Sequence, residues 1–132
     1  MSNEASGAPT KVLVIDDSNT IRRSAEIFLR QGGYDVVLAE DGFDALAKVN
    51  DYAPQLIFCD ILMPRLDGYQ TCAIIKRNPR FAAVPVIMLS SKDGLFDKAR
   101  GRMVGSQDYL TKPFTKDQLL QTVQQFGAAA SE

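Results

Sequence analysis

The chain has no histidine, and this absence removes several kinds of chemistry at once. Imidazole bases, Ser–His–Asp triads and histidine-ligated metals are all excluded. Cysteine is scarce as well: the 132 residues contain two, Cys59 and Cys72, and their spacing matches no metal or redox motif. We expect both to be reduced thiols in a cytoplasmic protein. Any chemistry must therefore use carboxylates, hydroxyls, lysine or backbone groups.

Long apolar runs and a strong excess of charge are missing too. No run approaches the length of a membrane span, and the first ten residues are polar, so we expect no signal peptide and no membrane insertion. The formal net charge is −1, which gives no indication of a nucleic-acid partner. With 45% hydrophobic and 23% charged residues, the composition is typical of a single globular domain with a buried core.

Short apolar segments rich in β-branched residues alternate with amphipathic segments of helical spacing. The five strand-like segments are KVLVID (11–16), YDVVLA (34–39), QLIFCD (55–60), VPVIMLS (84–90) and QDYLT (107–111). The five helical segments are 18–31, 42–51, 68–77, 94–103 and 115–126, the last with Thr115 as N-cap. The first, third and fourth strands are apolar enough to be buried on both faces of a sheet.

This alternation predicts an α/β fold of the (βα)5 type, with a parallel sheet, right-handed crossovers and helices on both faces. We expect the folded domain to span residues 11–127, between a flexible extension at 1–10 and a flexible tail at 128–132. The tail is too short to fold alone, so we expect the output to be contact with another protein. Ligands of such sheets bind at the carboxyl ends of the strands.

Acidic residues stand at the carboxyl ends of two predicted strands. Asp16 and Asp17 end the first strand, and Asp60 ends the third. Because the carboxyl ends of parallel strands share one edge, the three groups should converge, and like charges at close range need a cation. Oxygen ligands without histidine suit a hard divalent ion, Mg²⁺ or in its place Mn²⁺. Mg²⁺ keeps few protein ligands, so the site is better suited to phosphoryl chemistry than to a structural ion.

Two further strand ends place polar groups at the same edge. Ser90 and Ser91 follow the fourth strand, and Lys112 follows the fifth. The lysine can pair with one carboxylate and stabilise charge on a phosphoryl group. A cis bond between Lys112 and Pro113 would turn the lysine back into the pocket. Each feature alone is more often a solvated turn or a strand-end cap, but their convergence favours a site.

At these residues the sequence resembles a known family. The segments VLVIDDS, DILMPRLDG, VIMLSS and DYLTKPF resemble the receiver domains of two-component response regulators, of which CheY is the single-domain type. The resemblance covers residues 11 to about 127. It implies a doubly wound, flavodoxin-like sheet with strand order 2-1-3-4-5. It also implies a phosphoaccepting signalling domain that catalyses only its own phosphorylation and dephosphorylation.

The resemblance assigns the acidic residues. Asp60 would be the phosphoacceptor, attacking a phosphohistidine of a partner kinase to give an aspartyl phosphate. Asp17 would ligate Mg²⁺ directly, and Asp16 would support the ion through water. With Asp60, the backbone carbonyl of Leu62 would complete the protein ligands. The side chain of Leu62 and Lys92 would flank the route of the hydrolysing water and so affect the lifetime of the phosphate.

The resemblance also assigns a switch. Ser90 and Lys112 would each bond a phosphoryl oxygen, and Tyr109 would be an aromatic rotamer switch on the fifth strand. Movement of these groups would reshape the face made by helix 4, strand 5 and helix 5, through which a downstream protein would bind. The segment KDGLFDKARGR at 92–102, with four basic and two acidic residues, is either a solvated helix with Leu95 and Phe96 as core anchors or part of a partner-binding face, and both can hold. Gln107 stands where relatives carry a small residue, and we have no physical account of that change.

Three segments narrow the resemblance further. GFDALAK, MPRLDGYQTCAIIK and VIMLSSKDGLFDKARGRMVGS resemble a receiver of the type IV pilus chemosensory pathway, which controls twitching motility. This implies a stand-alone, cytoplasmic and monomeric response regulator with a CheA-like or hybrid histidine kinase as phosphodonor. The alternatives are the companion receiver of the same pathway and a CheY-like chemotaxis receiver, acting on another target or as a phosphate sink.

Three other classes of function fit the sequence less well than a phosphorylated receiver. A dehalogenase-like phosphatase would carry an acid two residues after its nucleophile, and Leu62 stands there. A flavodoxin-like cofactor binder would have a phosphate-cradling loop after the first strand, where DDSNT places two negative charges instead. A degenerate receiver acting only as a scaffold is disfavoured by the full acidic set together with Lys112.

Overall fold

The computed structural model describes residues 9–91 and 97–131, the last four through their backbone alone. Strands and helices alternate strictly within these ranges. They are β1 Lys11–Ile15, α1 Asn19–Gln31, β2 Asp35–Ala39, α2 Gly42–Tyr52, β3 Leu56–Asp60, α3 Gly68–Arg77, β4 Val86–Ser90, α4 Lys98–Val104, β5 Asp108–Thr111 and α5 Lys116–Ser131. The predicted (βα)5 order is therefore confirmed.

The strands form one parallel sheet in the order β2-β1-β3-β4-β5, which confirms the topology implied by the receiver resemblance. β3 and β4 are buried along their whole length, and β1 is buried from its second residue. These three strands are the ones whose unbroken apolar sequence predicts burial on both faces. β2 and β5, at the two edges, are less buried.

Two apolar clusters lie on opposite faces of the sheet. Alternation along the strands directs Val12, Val14 and their neighbours to the face covered by α1 and α5, where Leu29 and Leu119 are fully buried. The other face packs on α2 and α3 through residues such as Ala45 and Ile75, and it includes both cysteines. The two thiols are free and buried.

Side-chain caps set most of the helix starts. The Ser18 hydroxyl accepts the Ile21 N–H at 3.3 Å at the start of α1. α3 begins with a reciprocal capping box between Asp67 and Gln70. The predicted cap of α5 is present, because the Gln118 N–H donates to Thr115 Oγ1 at 3.1 Å. Such caps replace backbone partners that the first turn of a helix lacks.

Several predicted boundaries were wrong by a few residues. The strand predicted at 84–90 begins at Val86, directly after a proline that has no N–H to donate to a ladder. The helix predicted at 94–103 is described from Lys98 to Val104; its predicted residues 94–96 lie outside the described ranges. The last helix continues to Ser131 rather than ending at 126, through three alanines of high helix propensity. The domain boundaries at residues 10 and 127 stay predictions.

Candidate functional site

Asp16, Asp17 and Asp60 meet at the carboxyl edge of the sheet, as their positions after β1 and at the end of β3 predict. One carboxylate oxygen from each lies within 4.8 Å of the other two. Asp16 is 0% and Asp60 is 3% exposed, whereas Asp17 lies at the surface. The apolar, fully buried strand beneath Asp60 holds its carboxyl group at a defined place on this edge.

Lys112 joins two of these carboxylates. Its Nζ donates to Asp60 Oδ1 at 2.9 Å and to Asp16 Oδ2 at 3.1 Å. The peptide bond between Lys112 and Pro113 is cis, and the Lys112 N–H donates to the Ser90 carbonyl at 2.7 Å. The lysine thus bridges two acids, where the sequence predicted a pair with one.

Backbone contacts fix the orientation of Asp16. The Ser18 N–H donates to its Oδ1 at 2.8 Å, and a guanidinium nitrogen of Arg22 donates to its carbonyl at 2.6 Å. Its own N–H donates to the Ala39 carbonyl on β2 at 3.1 Å. With one oxygen held by backbone and the other by lysine, the carboxylate has little freedom to turn away from the pocket.

Burial has the largest effect on the pKa values of the carboxyl groups in the site. It raises the pKa of Asp60 to about 7, although the hydrogen bond from Lys112 opposes the change. Burial also raises the pKa of Asp16, against the Ser18 N–H and the charge of Lys112. The pKa of Lys112 is raised because its bonds to the two carboxylates outweigh the effect of burial. One lysine therefore neutralises the acidic cluster incompletely, and a further cation would be favourable.

A divalent metal fits this donor set. All three groups are carboxylates, the oxygen ligands that Mg²⁺ takes in proteins, and they surround one small volume. The pocket beside them has a volume of about 130 Å³. Its lining residues are Asp17, Asp60, Ile61, Leu62, Leu89, Ser91 and Lys112. This volume is suited to a phosphoryl group and an ion rather than to a large organic ligand.

The loop that follows β3 closes tightly beneath Asp60. The Gly68 N–H donates to the Ile61 carbonyl at 2.8 Å. A Cβ at position 68 would lie 2.2 Å from the Asp60 carbonyl oxygen, so this position requires glycine. Leu62, between these residues, has a 60% exposed side chain at the mouth of the pocket, and its N–H lies 3.4 Å from Asp60 Oδ1. The loop therefore holds Leu62 directly beside the Asp60 carboxylate.

The remaining predicted residues are Ser90, Tyr109, Gln107 and Lys92, and the first three are not among the residues that line this pocket. Ser90 is buried at the end of β4, and its hydroxyl donates to the Ser91 carbonyl at 3.3 Å. Tyr109 lies on β5 and is 39% exposed. It lines two grooves, of about 590 and 280 Å³, on either side of the strand. Gln107 is exposed and lines the smaller groove. Lys92 lies outside the described residues.

One set of contacts was missed by the sequence analysis. The Tyr69 hydroxyl accepts the Asp97 N–H at 2.8 Å, just before α4. The Arg100 guanidinium stacks on the Tyr69 ring at 4.4 Å and lies 3.4 Å from Asp67 Oδ2. We call these four residues the α3–α4 clasp. It connects the start of α3, close to Asp60, with α4. A tyrosine in the first turn of an amphipathic helix carries no local signal of such a contact.

Comparison with known proteins is consistent with this geometry. The sequence model of the response regulator receiver domain matches residues 12–124. The chain belongs to the response regulator receiver family, whose members accept a phosphoryl group from a histidine kinase in two-component phosphorelays. Among curated proteins it is 69% identical to Protein PilG of Pseudomonas aeruginosa over 110 residues, which cover 83% of this chain and 82% of PilG.

Two further relatives extend the comparison. Protein PilH of the same organism is 35% identical over 113 residues, covering 86% of this chain and 93% of PilH. The solved structure of chemotaxis protein CheY4 of Vibrio cholerae superposes with a TM-score of 0.86 at 34% identity, covering 90% of this chain and 99% of CheY4. The predicted family and its CheY-like fold are thus confirmed.

Other curated relatives are about twice as long, and the chain spans only 43–47% of three of them. As for membranes, none of the helices in the described ranges combines the length and the apolar character needed to cross one.

Proposed function

We propose that this protein is a stand-alone response regulator of a chemosensory phosphorelay, phosphorylated on Asp60. One observation carries the proposal: a buried carboxylate at a sheet edge shares a single lysine with a second buried carboxylate. Such an arrangement holds a nucleophile, a cation and a metal-binding group within one small pocket. A structural ion pair would need only one of the two acids.

For transfer of the phosphoryl group, the protein mainly has to position the reacting groups and stabilise their charge. An oxygen of the Asp60 carboxylate attacks the phosphorus of a phosphohistidine on the kinase. The new O–P bond forms as the P–N bond breaks, and the leaving imidazole nitrogen keeps the electron pair of that bond. Lys112, 2.9 Å from Asp60 Oδ1, stabilises the charge on one phosphoryl oxygen.

The carboxylates of Asp17 and Asp60, with the Leu62 carbonyl, would hold Mg²⁺, for which Mn²⁺ can substitute, and Asp16 would support the ion through water. When bound, the ion supplies positive charge to the phosphoryl oxygens. This chain's residues prepare the place: Asp16 is fixed by backbone donors, and Asp17 lies at the open side. Leu62 has no acidic side chain to activate water, which supports a phosphorylated form that outlasts the encounter with the kinase. Lys92 is proposed as the second residue affecting its lifetime.

Phosphorylation would act on the β5 side of the sheet. Ser90 would leave the Ser91 carbonyl and bond a phosphoryl oxygen, and Tyr109 would then move towards the space beside β4. This would alter the face formed by α4, β5 and α5, where the two grooves lie. A protein target binding there would read the phosphorylation state. Turnover of a separate substrate is not part of this function.

The 69% identity to PilG supports a role in a type IV pilus chemosensory pathway that controls twitching motility. The phosphodonor would be a CheA-like or hybrid histidine kinase, and the protein would act in the cytoplasm as a monomer. The alternative is a role like that of PilH, or of a chemotaxis CheY, on a different target or as a phosphate sink. Deletion of the gene and complementation with Asp60→Asn would separate these roles by their effect on twitching.

Acetyl phosphate with Mg²⁺ tests the central step. The wild-type protein should gain one phosphoryl mass in intact-protein mass spectrometry, and EDTA should prevent the gain. Asp60→Asn, which removes the nucleophilic oxygen and keeps the shape of the side chain, should gain none. Asp51→Asn, on α2, is the matched control and should be phosphorylated like the wild type. If neither acetyl phosphate nor a competent histidine kinase phosphorylates the wild-type protein, the proposal fails.

A further inference from the structure

A second serine hydroxyl, on Ser91, lies at the pocket and has no hydrogen-bond partner among the described residues. Within the described ranges, only two buried side-chain oxygen atoms have no hydrogen-bond partner, Tyr52 Oη and Ser91 Oγ. Most buried hydroxyls are paired, because an unpaired one gives up its bonds to water and gains nothing. Tyr52 ends α2, whereas Ser91 lines the pocket that Asp60 and Lys112 also line. A ligand of that pocket could satisfy the serine.

The sheet register places Ser91 on the same face as the acceptor. Asp60 on β3 pairs with Leu89 on β4, so the two side chains share one face of the sheet. Side chains alternate along an extended chain, and Ser91 is therefore the next residue on that face beyond Leu89. It lies further towards the carboxyl edge, the direction in which a group attached to Asp60 would extend. Ser90 alternates to the opposite face.

The two neighbouring hydroxyls differ in their present bonding. Ser90 Oγ donates to the Ser91 carbonyl at 3.3 Å, so this hydrogen bond must break before Ser90 can donate to a ligand. Ser91 Oγ has no such bond to lose among the described residues. A serine hydroxyl changes place by rotation about one side-chain torsion with three staggered positions. Ser91 can therefore turn towards the pocket with little rearrangement.

We propose that Ser91 Oγ donates a hydrogen bond to a phosphoryl oxygen on Asp60, in addition to Ser90 and Lys112. The inference rests on the proposed function, since it requires phosphorylation of Asp60. A phosphoryl group offers three strong acceptor oxygens, and each can accept more than one hydrogen bond, so Ser91 can donate in addition to Ser90 and Lys112. Ser91 makes this bond only in the phosphorylated form, so it stabilises that form relative to the free protein.

Beryllofluoride with Mg²⁺ provides the test, because it mimics the phosphoryl group without transfer chemistry. Ser91→Ala should bind it about tenfold more weakly than the wild type in calorimetric titration, the effect of one hydrogen bond to a charged group. Ser91→Thr keeps the hydroxyl and should bind within about threefold of the wild type. In ¹⁹F spectra, one fluorine resonance of the bound mimic should shift in Ser91→Ala and hold its position in Ser91→Thr. Without the mimic, Ser91→Ala should melt no lower than the wild type.

Each other result decides against the proposal. Equal binding by Ser91→Ala and the wild type would overturn it, and so would equal losses in the alanine and threonine variants, because volume would then matter rather than the hydroxyl. A lower melting temperature of free Ser91→Ala with unchanged fluorine resonances would assign Ser91 a purely structural role. A wild-type protein that binds no beryllofluoride would overturn the proposed function together with this inference. Failure of the Ser91 inference alone is different, because the wild type then still binds the mimic.

Discussion

The two edge strands of the sheet, β2 and β5, have very different neighbours. At β2, the carbonyls of Val36 and Leu38 accept side-chain donors from the flanking helices, Arg30 at 3.2 Å and Lys48 at 2.7 Å. They alternate with the Ala39 carbonyl, which pairs with β1, and so point away from the sheet. At β5, the flanking space consists of two grooves lined by Tyr109. Among the described residues, side chains of the flanking helices cover the β2 edge, whereas the β5 edge borders two grooves.

In the proposed function, this difference would separate stability at one edge of the sheet from signalling at the other. An uncovered edge strand invites pairing with another chain, and long basic side chains are a common protection. The β2 edge has this protection and lies away from Lys112. The β5 edge runs directly into Lys112, so a change at Asp60 reaches its end through one ion pair. The edge that is bonded to Asp60 through Lys112 is thus also the edge beside which the two grooves lie.

The largest contrast should come from removing one lysine at each edge. Lys112→Met removes the cation from both carboxylates and should slow phosphorylation by acetyl phosphate by about a hundredfold or more. Lys48→Met removes the cover of the β2 edge and should leave the rate within about twofold of the wild type. Phosphorylation is followed by intact-protein mass spectrometry. If both substitutions slowed the reaction equally, Lys112 would have no special role; circular dichroism controls for loss of folding.

The charge of the pocket can be changed without a mutation. Burial raises the pKa of Asp60 to about 7, so the metal-free protein holds a disfavoured carboxylate above that pH. For an acid whose pKa is raised on folding, stability is lost as pH rises, here from about 4 through about 7, by roughly 2–4 kcal/mol. Urea unfolding at pH 5 and pH 8 measures this loss.

Two additions sharpen the pH experiment. Asp60→Asn should be more stable than the wild type at pH 8 and lose that advantage near pH 4. Mg²⁺ should raise the stability of the wild type at pH 8 more than at pH 5, since the ion compensates the ionised carboxylates. Amide exchange should show the loosening at pH 8 near β5 rather than in β2. A wild-type protein that gained stability from pH 5 to pH 8 would contradict the burial of an ionisable Asp60.

Beryllofluoride should distinguish the two edges directly. With Mg²⁺ it should change amide exchange in α4 and β5 by about tenfold, because Lys112 at the end of β5 bonds Asp60 directly. It should leave Asp35–Ala39 of β2 unchanged, because β2 contacts the site only through its Ala39 carbonyl, which accepts the Asp16 backbone N–H, and not through Asp60. Tyr109→Ala should reduce the change in α4. Phe43→Ala, on α2, removes an exposed aromatic from the other side and is the control. A response of equal size in both edges would remove the basis of the comparison.

The smallest effect concerns the α3–α4 clasp. Tyr69→Phe deletes the acceptor of the Asp97 N–H and should cost about 1 kcal/mol of local stability, seen as faster exchange in Lys98–Val104. The stacked Arg100 would remain on the ring. Tyr34→Phe, just before β2, is the matched control and should alter exchange in α4 by less than about twofold. Unchanged exchange of α4 in Tyr69→Phe would show that the clasp does not hold this helix.

Most of the secondary structure follows from local sequence. Strand positions came within one or two residues because their apolar, β-branched runs differ sharply from the amphipathic segments between them. Thr115 was recognisable as a cap because its contact partner, Gln118, is three residues away. Glycine was an unreliable stop signal: Gly105 does end α4, directly after Val104, whereas α5 continues through Gly127 to Ser131.

The residues that form the site could also be predicted from local sequence. In a parallel sheet, any residue at the carboxyl end of a strand reaches the same edge, so the positions of Asp16, Asp17, Asp60 and Lys112 alone predict their meeting. The family resemblance then supplied their roles. No tertiary information was needed to propose a phosphoryl site with a metal.

Only the tertiary structure decided how these groups are bonded. Lys112 is 96 residues from Asp16 in sequence. Its hydrogen bonds to two carboxylates depend on the positions of β1, β3 and β5 within the sheet. The same holds for the unpaired hydroxyl of Ser91, for the clasp at Tyr69 and for the contrast between the two sheet edges. Local sequence determines which strand or helix a residue occupies, because that choice depends on neighbours within a few positions. Hydrogen bonds between distant elements depend on distances of tenths of an ångström, which arise only once the whole sheet and its helices have packed.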